Sequence, residues 1–600
     1  MQKAMATGKE IDIHLVTTAL REFWPESGPI WLLSPGCLID HEDHEVKGRW
    51  EIKGIVSDPF RNEQERSAAY ADIWRITSDL IHLLSSRLND IHGTNHSERY
   101  WRTHIGIWAI LFVTVIYDRH ARLLKAKTEI GNFTAIGSSD ADAAITLDTV
   151  SFALQAADDF YNCQIYTYLC KKLGIPFVEY SFKNKFSRPQ ESKSPNPARI
   201  KNALRKIMRS GYAALASAFA QRADVLMVSS YLPRWFEIEL SFATSGMVFP
   251  LHMQTPMNMS SDTFTNVTAR SALSAVPEGH DGITALVVEM AKLCLPKSFV
   301  EDYQEVCSYS DSTYRKYQPK AIYSANSWWF DESFKHWAAK CQEQGTRLIG
   351  GAHGSEYFVR KYENFESFEV LLSDKYLTWG WSEPNQPKLI PTPACKLIDI
   401  DRRPNRISGE SILFGGTAGP RHSVWILGNF SDYLEWQQRF FAGFPQTFMS
   451  KFLVRLHYED YGWKMKDRLA RIAPTLRFDS WDVGFRKRLN SCRLYVCDHL
   501  STTYSEALAA NIPTVLFLDE EMHPIRPTAV SYVQALRDCH ILHGTPESAA
   551  AWVLRVYDDP APWWLSAPCQ NAVKEFCHYY ARTSETPLRD WKQTFRELVS

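Results

Sequence analysis

The sequence predicts an α/β protein built from two Rossmann-like domains, with a helix-rich region at its N-terminus. Three observations carry this. The 600 residues exceed what one hydrophobic core usually serves. From about residue 225 onward, short apolar strands alternate with helix-compatible stretches, the pattern of a parallel sheet covered on both faces. In the last part of the chain, the predicted strands end in glycines, hydroxyls and cations, as ligand-binding edges of such sheets do.

The N-terminal region, roughly residues 1–180, reads as mainly helical with one early strand. Ile30–Leu33 is short, apolar and broken by Ser34-Pro35-Gly36. Glu63–Leu88 and Tyr100–Lys125 follow, with apolar residues at three- and four-residue spacing that marks buried helix faces. Residues 183–211 shift composition: a Pro/Ser-rich loop leads into a basic helix. One carboxylate, Glu191, faces nine Lys and Arg residues between Lys183 and Arg209. Such a segment is either a solvated face or a contact to anionic headgroups at a membrane surface.

Strands are then predicted at Val225–Ser229, Ala321–Ser324, Arg347–Gly350 and Lys375–Trp379. The proline-rich stretch Pro384–Pro404 marks a domain boundary, so the chain is divided into residues 1–390, a linker at 391–405, and residues 406–600. In the last part, strands are expected at Ser411–Phe414, Phe452–Leu456, near Thr475–Phe478, at Leu494–Cys497 and at Thr514–Leu518. Helical segments lie between them, which makes a doubly wound domain.

Bulk composition narrows the function. Hydrophobic content of 45% and charged content of 22% are those of a globular protein, and the net charge of −1 provides no field to recruit nucleic acid. The 12 cysteines form no CxxC pair or Cys/His cluster at zinc spacing and read as reduced thiols of a cytoplasmic protein. The N-terminus carries charges where a signal sequence needs an apolar core. Ile105–Tyr117, the longest apolar run, is too short to span a bilayer and reads as a buried helix.

The candidate donor site lies at the C-terminal strand ends. Gly415, Gly416 and Thr417 follow the first strand; Arg455 and His457 bracket the end of the second; Asp498, Ser501, Thr502 and Thr503 follow the fourth, and Glu506 lies about one turn into the next helix. Small hydroxyl residues where a strand feeds a helix N-terminus suit a phosphate, because free N–H groups and the positive dipole end point at the ligand. The alternative is an ordinary capped helix. In the N-terminal half, His353 between Ala352 and Gly354, with Glu356 three residues on, is placed to act as a general base; Asp118, beside Arg119 at the end of an apolar run, is a second candidate. No Gly-rich dinucleotide or P-loop fingerprint appears. The DxD triplets Asp140–Asp142 and Asp399–Asp401 lie in loops, so neither a metal nor another cofactor is expected.

The combination of YWR at Tyr100–Arg102, YDRH at Tyr117–His120, SSYLP at Ser229–Pro233, HG at His353–Gly354, TWGW at Thr378–Trp381, RLHYEDYGW at Arg455–Trp463 and STTYSEALAANIP at Ser501–Pro513 resembles transferases of about this length from bacterial O-antigen and surface-carbohydrate loci. The C-terminal pieces are similar, more distantly, to capsule glycosyltransferases that use CMP-activated ulosonic acids. The resemblance implies a GT-B arrangement, with two Rossmann-like domains facing a cleft, donor on the C-terminal side and acceptor on the N-terminal side. It implies a nucleotide-sugar donor, favouring a CMP-ulosonate, and a glycan or lipid-linked glycan acceptor. Ser501–Thr503 would hold the phosphate, Glu506 the ribose, and Arg455 and His457 the departing nucleotide; His353, Asp118 or Glu356 would act on the acceptor. The rivals are a CDP-linked polyol-phosphate transferase, a nucleotide-sugar epimerase, and a non-catalytic protein that kept the fold.

Overall fold

The computed structural model describes residues 13–39, 48–139, 143–180, 218–251, 257, 259, 264–401, 407 and 409–600. The Lys183–Arg209 segment and the Asp140–Asp142 triplet therefore lie outside the described residues.

Three sheets, parallel throughout, organise the chain. The first contains β1 (His14–Val16), β2 (Gly28–Leu32), β3 (Trp50–Ile55), β4 (Thr134–Ser138) and β5 (Phe177–Tyr180), in the order β3-β2-β1-β4-β5. The second contains β6 (Val225–Val228), β7 (Val248–Pro250), β8 (Ala321–Ser324), β9 (Arg347–Gly351), β10 (Lys375–Thr378) and β11 (Leu389–Pro391), ordered β11-β10-β9-β8-β6-β7. The third contains β12 (Ile412–Gly415), β13 (Phe452–Arg455), β14 (Arg477–Phe478), β15 (Leu494–Cys497), β16 (Thr514–Phe517) and β17 (Leu542–His543), ordered β14-β13-β12-β15-β16-β17. That last order is the doubly wound Rossmann order, with its switch point between β12 and β15. The second and third sheets form the paired domains of a GT-B-like fold, with their facing loops enclosing a cavity.

The helices that matter for the site are α1 (Glu63–His92), α2 (Glu98–Ile130), α3 (Asp159–Leu173), α4 (Asn364–Leu372), α5 (Ser431–Ala442), α6 (Thr502–Ala509), α7 (Ala567–Tyr580) and α8 (Pro587–Val599). Local sequence explains their ends. Asn62 accepts hydrogen bonds from the N–H groups of Gln64 and Glu65 to start α1, which stops at Gly93 in the left-handed conformation (φ 63°). Ser97 caps α2 through the Tyr100 N–H. The Ile105–Tyr117 run is the buried middle of α2, and no helix among the described residues is long and apolar enough to cross a membrane.

Two differences from the sequence reading matter. The N-terminal region is helix-rich, but it carries a five-stranded sheet of its own rather than a single strand. Its strands are short and mixed with polar residues, as in Trp50–Ile55, where only Trp50 is buried, so no clean apolar run advertises them. The proline-rich boundary also contains β11, which pairs with β10 at the sheet edge, where Pro391 needs no donor.

At the far end, α7 and α8 leave the third sheet and return to the second. Trp591 and Phe595 of α8 pack their rings against Tyr323 of β8 at 5.9 and 5.6 Å, and Arg347 donates to the Leu598 carbonyl at 2.7 Å. The TWGW motif is the joint for this return. Gly380 has φ 121°, and a Cβ there would overlap the carbonyl of His578 in α7. Gly106 does the same for α2, since a Cβ would collide with the Phe368 ring of α4.

Asp118 is not placed for chemistry. It is 1% exposed, accepts from Arg119 at 2.8 Å and from Arg122 at 3.0 Å, and belongs to a buried ionic cluster at the α2 centre. Burial alone would raise its pKa, but Arg122 and Arg119 outweigh that and hold the carboxyl below its usual range. Asp118→Asn should therefore destabilise the protein by about 3–5 kcal/mol, because buried Arg119 loses its counter-ion and Arg122 keeps only Asp58 at 3.7 Å. A depressed carboxyl stabilises the fold above its unfolded pKa and loses that contribution as pH falls through the folded value. The gap between wild type and variant, measured by urea unfolding, should be full above about pH 5 and close only in stronger acid.

Candidate functional site

The sites singled out from sequence in the two halves of the chain are in direct contact. Tyr504 in α6 donates to the Ser355 carbonyl at 2.9 Å, and the Ser505 hydroxyl bonds that of Ser355. The STTYSEAL helix and the HG loop thus meet across the cleft, although 150 residues separate Ser355 from Ser505.

A cavity of about 240 Å³ opens beside this contact. One wall comes from the loops after β12, β15 and β16, through Thr417, Asp498, His499, Ser501 and Asp519; the second domain contributes Glu356 and Arg360. Val424, Trp425, Ile426, Leu427 and Phe430 supply an apolar face. The cavity sits at the β12/β15 switch point, where ligands of such sheets bind.

Around the first turn of α6 the geometry is specific. Ser501 occupies the N-cap position but makes no side-chain capping bond. Its hydroxyl instead lies 2.8 Å from His499 Nε2 and 3.1 Å from Thr503 Oγ1. The first N–H groups of α6 are left without that cap, so this end of the helix can receive an anion. His499 Nδ1 meets Asp498 Oδ1 at 2.8 Å, and Asp498 is held in turn by Tyr433 at 2.9 Å and Gln437 at 2.8 Å, both from α5. Burial would lower the pKa of His499, but the Cys497 sulfur and the Asp498 carboxylate outweigh it and push the imidazole up to about 10. The Asp498–His499–Ser501 chain has the spacing of a nucleophile triad, yet its charge state is reversed. A protonated imidazole donates to Ser501 and cannot take its proton.

Across the cavity, one oxygen of Glu356, Oε2, is buried with no hydrogen-bond partner. Gly354 makes room for this carboxylate, since a Cβ there would lie 2.5 Å from Glu356 Oε1.

A family model described as "LIC12162 family transferase" matches residues 13–595. The chain belongs to the LIC12162 family of transferases. Among solved structures it is similar to the glycosyltransferase SnogD from Streptomyces nogalater (12% identity, 63% of this chain and 100% of that one, TM-score 0.35). It is also similar to Acinetobacter baumannii MurG (11%, 62% and 99%, 0.32) and to a UDP-forming α,α-trehalose-phosphate synthase from Burkholderia vietnamiensis (9%, 63% and 97%, 0.34). No curated protein matches the chain.

Within this transferase, the cavity collects only part of the predicted site. Thr417, Asp498, Ser501 and Glu356 line it, and Thr502 and Thr503 form the adjoining helix start. Gly415 is structural: a Cβ would run into the Tyr495 hydroxyl of the neighbouring strand. Gly416 donates its N–H to the Arg455 carbonyl at 3.0 Å, holding the loop exit. Glu506 is paired with Arg486 at 2.8 Å, and Arg486 also reaches Asp399 and the Lys396 carbonyl. His457 lies off the cavity wall, with Nδ1 accepting from the Glu459 N–H at 3.1 Å, and burial lowers its pKa.

Two predicted residues are differently employed. Arg455 is 7% exposed, ion-paired with Asp479, bonded to the Val483 carbonyl at 2.9 Å and stacked 3.9 Å over Trp481. His353 does not line the cavity; it is stacked on Tyr231 at 5.7 Å, where burial and then Lys396 lower its pKa to about 3. It is neutral and weakly basic. His499, Tyr433, Gln437 and Arg360 escaped the sequence reading. The first stands inside the motif between Asp498 and Ser501; the others have no local signal.

Arg455→Ala is expected to act on stability. Asp479 keeps Arg488 at 2.9 Å as a partner, so removing Arg455 should cost about 1–3 kcal/mol in a urea titration. Ligand affinity of the fraction that remains folded should be unaltered, which a binding titration at low urea would check.

Proposed function

We propose that the protein is a glycosyltransferase that moves a sugar from a nucleotide donor to a glycan acceptor in the cavity between the second and third sheets. The observation that carries this reading is the α6 N-terminus, left without a side-chain cap by Ser501, with a cationic His499 beside it and a carboxylate from the opposite domain facing it. Family membership supports the transferase part. The resemblance to CMP-ulosonate transferases of surface-polysaccharide loci supports CMP as the favoured nucleotide, an ulosonic acid as the favoured sugar and a cytoplasmic site of action. Contact with the inner membrane through Lys183–Arg209 belongs to the same proposal.

In this mechanism the donor phosphate rests on the first N–H groups of α6 and on the hydroxyls of Ser501–Thr503. As the bond from sugar to phosphate breaks, negative charge grows on the phosphate oxygen, and the His499–Ser501 pair donates hydrogen bonds to it. Glu356 takes the proton of the acceptor hydroxyl as that oxygen bonds the sugar carbon. The low basicity of His353 and the burial of Asp118 favour Glu356 for this role.

Two results would test the assignment. In thermal-shift titrations with CMP, CDP and UDP, CMP should stabilise most, and His499→Gln should weaken it by about tenfold, the loss of one charge-assisted bond. CMP affinity should stay level across neutral pH and fall only as pH approaches the His499 value of about 10. Tight UDP binding without CMP binding would remove the favoured donor. Glu356→Gln should lower turnover by roughly 10²–10⁴-fold with CMP affinity unchanged, as loss of a general base does. Gly354→Ala, which displaces the same carboxylate, should lower turnover in the same direction.

A further inference from the structure

Arg360 is the second cationic group of the cavity wall, and nothing in the mechanism above uses it. Its backbone is fixed across the domain seam. Arg360 bridges Ile525 in antiparallel fashion, Lys361 donates to the Pro524 carbonyl at 2.9 Å, and Arg526 donates to the Val359 carbonyl at 2.8 Å. Its side chain is 13% exposed.

The partners of the guanidinium do not balance its charge. One nitrogen donates to His523 Nδ1 at 3.0 Å, so that histidine is neutral; burial, then Arg360 and Arg66, depress its basicity far below the usual value. The other lies 3.8 Å from Glu363, and among the described residues that is its only ion-pair contact. That distance is too long for a hydrogen bond, and burial and the neighbouring Glu356 push the Glu363 carboxyl up, against the pull of Arg360. Arg66 adds positive charge nearby. A nearly buried guanidinium with no carboxylate in hydrogen-bond reach is costly, and the cavity in front of it is where a counter-ion can enter.

We propose that Arg360 is a specificity-determining residue that pairs with an acid group on the substrate, and that the cavity accordingly takes a carboxylate-bearing sugar. The planar guanidinium fork matches a carboxylate in two-point contact. A carboxylate fits better than a second phosphate because Glu356, Asp432 and Asp519 share the wall and would repel a dianion more strongly. The proposal rests on the donor reading above, but it is reached from a different group on the opposite wall.

The test is calorimetric titration of the full chain, with saturating CMP present, against N-acetylneuraminate, glucuronate, deoxyoctulosonate and their methyl esters. At least one acid should bind, with its ester weaker by about tenfold or more, the loss expected for one charge-assisted pair. Arg360→Gln should remove that preference while CMP affinity, measured separately, is retained; Arg360→Lys, which keeps the charge without the fork, should be intermediate and also controls for folding. Equal binding of acid and ester, binding of none of the acids while CMP binds, or an unchanged preference in Arg360→Gln would overturn the proposal. Loss of CMP binding by the wild type, with acid preference intact in a CMP-free titration, would instead count against the nucleotide site and leave the Arg360 assignment standing.

Discussion

The cavity depends on how the loop after β12 is held, and that is the work of a buried arginine far away in sequence. Arg119, wholly buried in α2, donates to the Ser423 carbonyl at 2.6 Å while also bonding Asp118 and Asn162. Asp159 at the start of α3 pairs with Arg421 and His422, and the Tyr70 hydroxyl of α1 accepts from the Leu427 N–H. From the other side, Trp463 donates to the Gly419 carbonyl at 2.8 Å. A long loop with few contacts of its own is thereby fixed at four points. The helices of the N-terminal region act as a clamp on the domain of the third sheet. The YDRH motif and the late part of RLHYEDYGW are parts of that clamp, which gives them a physical role without chemistry.

Charge in the cleft follows from the same tightness. Bringing two domains together buries ionisable groups that would otherwise be hydrated, and each finds a different compromise. Asp118 stays charged because two arginines face it. His353 gives up its proton because burial and a lysine oppose it. His499 keeps its proton because a sulfur and a carboxylate stand against it. Burial and the neighbouring Glu356 raise the pKa of the Glu363 carboxyl. The wall that results carries His499 from the third domain on one side and Arg360 with the Glu356 carboxylate from the second domain on the other, an arrangement that suits the proposed reaction.

Much of the fold was legible locally. Predicted and observed strands agree to within a residue at β8, β9, β12, β15 and β16, because fully buried parallel strands appear as uninterrupted apolar runs bounded by small residues. Of the first sheet only β2 was legible, as the apolar run Ile30–Leu33, since half-exposed edges such as β3 and β5 alternate irregularly with polar residues. In the site, the hydroxyl run at Ser501–Thr503 and the Glu356 carboxylate could be read, because a helix start and a glycine-flanked loop each leave a local mark. Arg455 misled for an instructive reason. A basic residue at a strand end is equally suited to a ligand phosphate and to the buried Asp479 of the neighbouring loop, and spacing cannot tell which anion it faces.

By itself the sequence determined the secondary-structure alternation, the Rossmann character of the last domain and the hydroxyl-rich helix start that borders the cavity. These follow from short-range periodicity and from backbone groups that every helix start leaves open. Only the tertiary structure decided which charges are spent on the fold and which face the cavity. That choice rests on contacts between residues hundreds of positions apart, such as Arg119 with Ser423, and on burial, which sets the protonation of His353, His499 and Glu363.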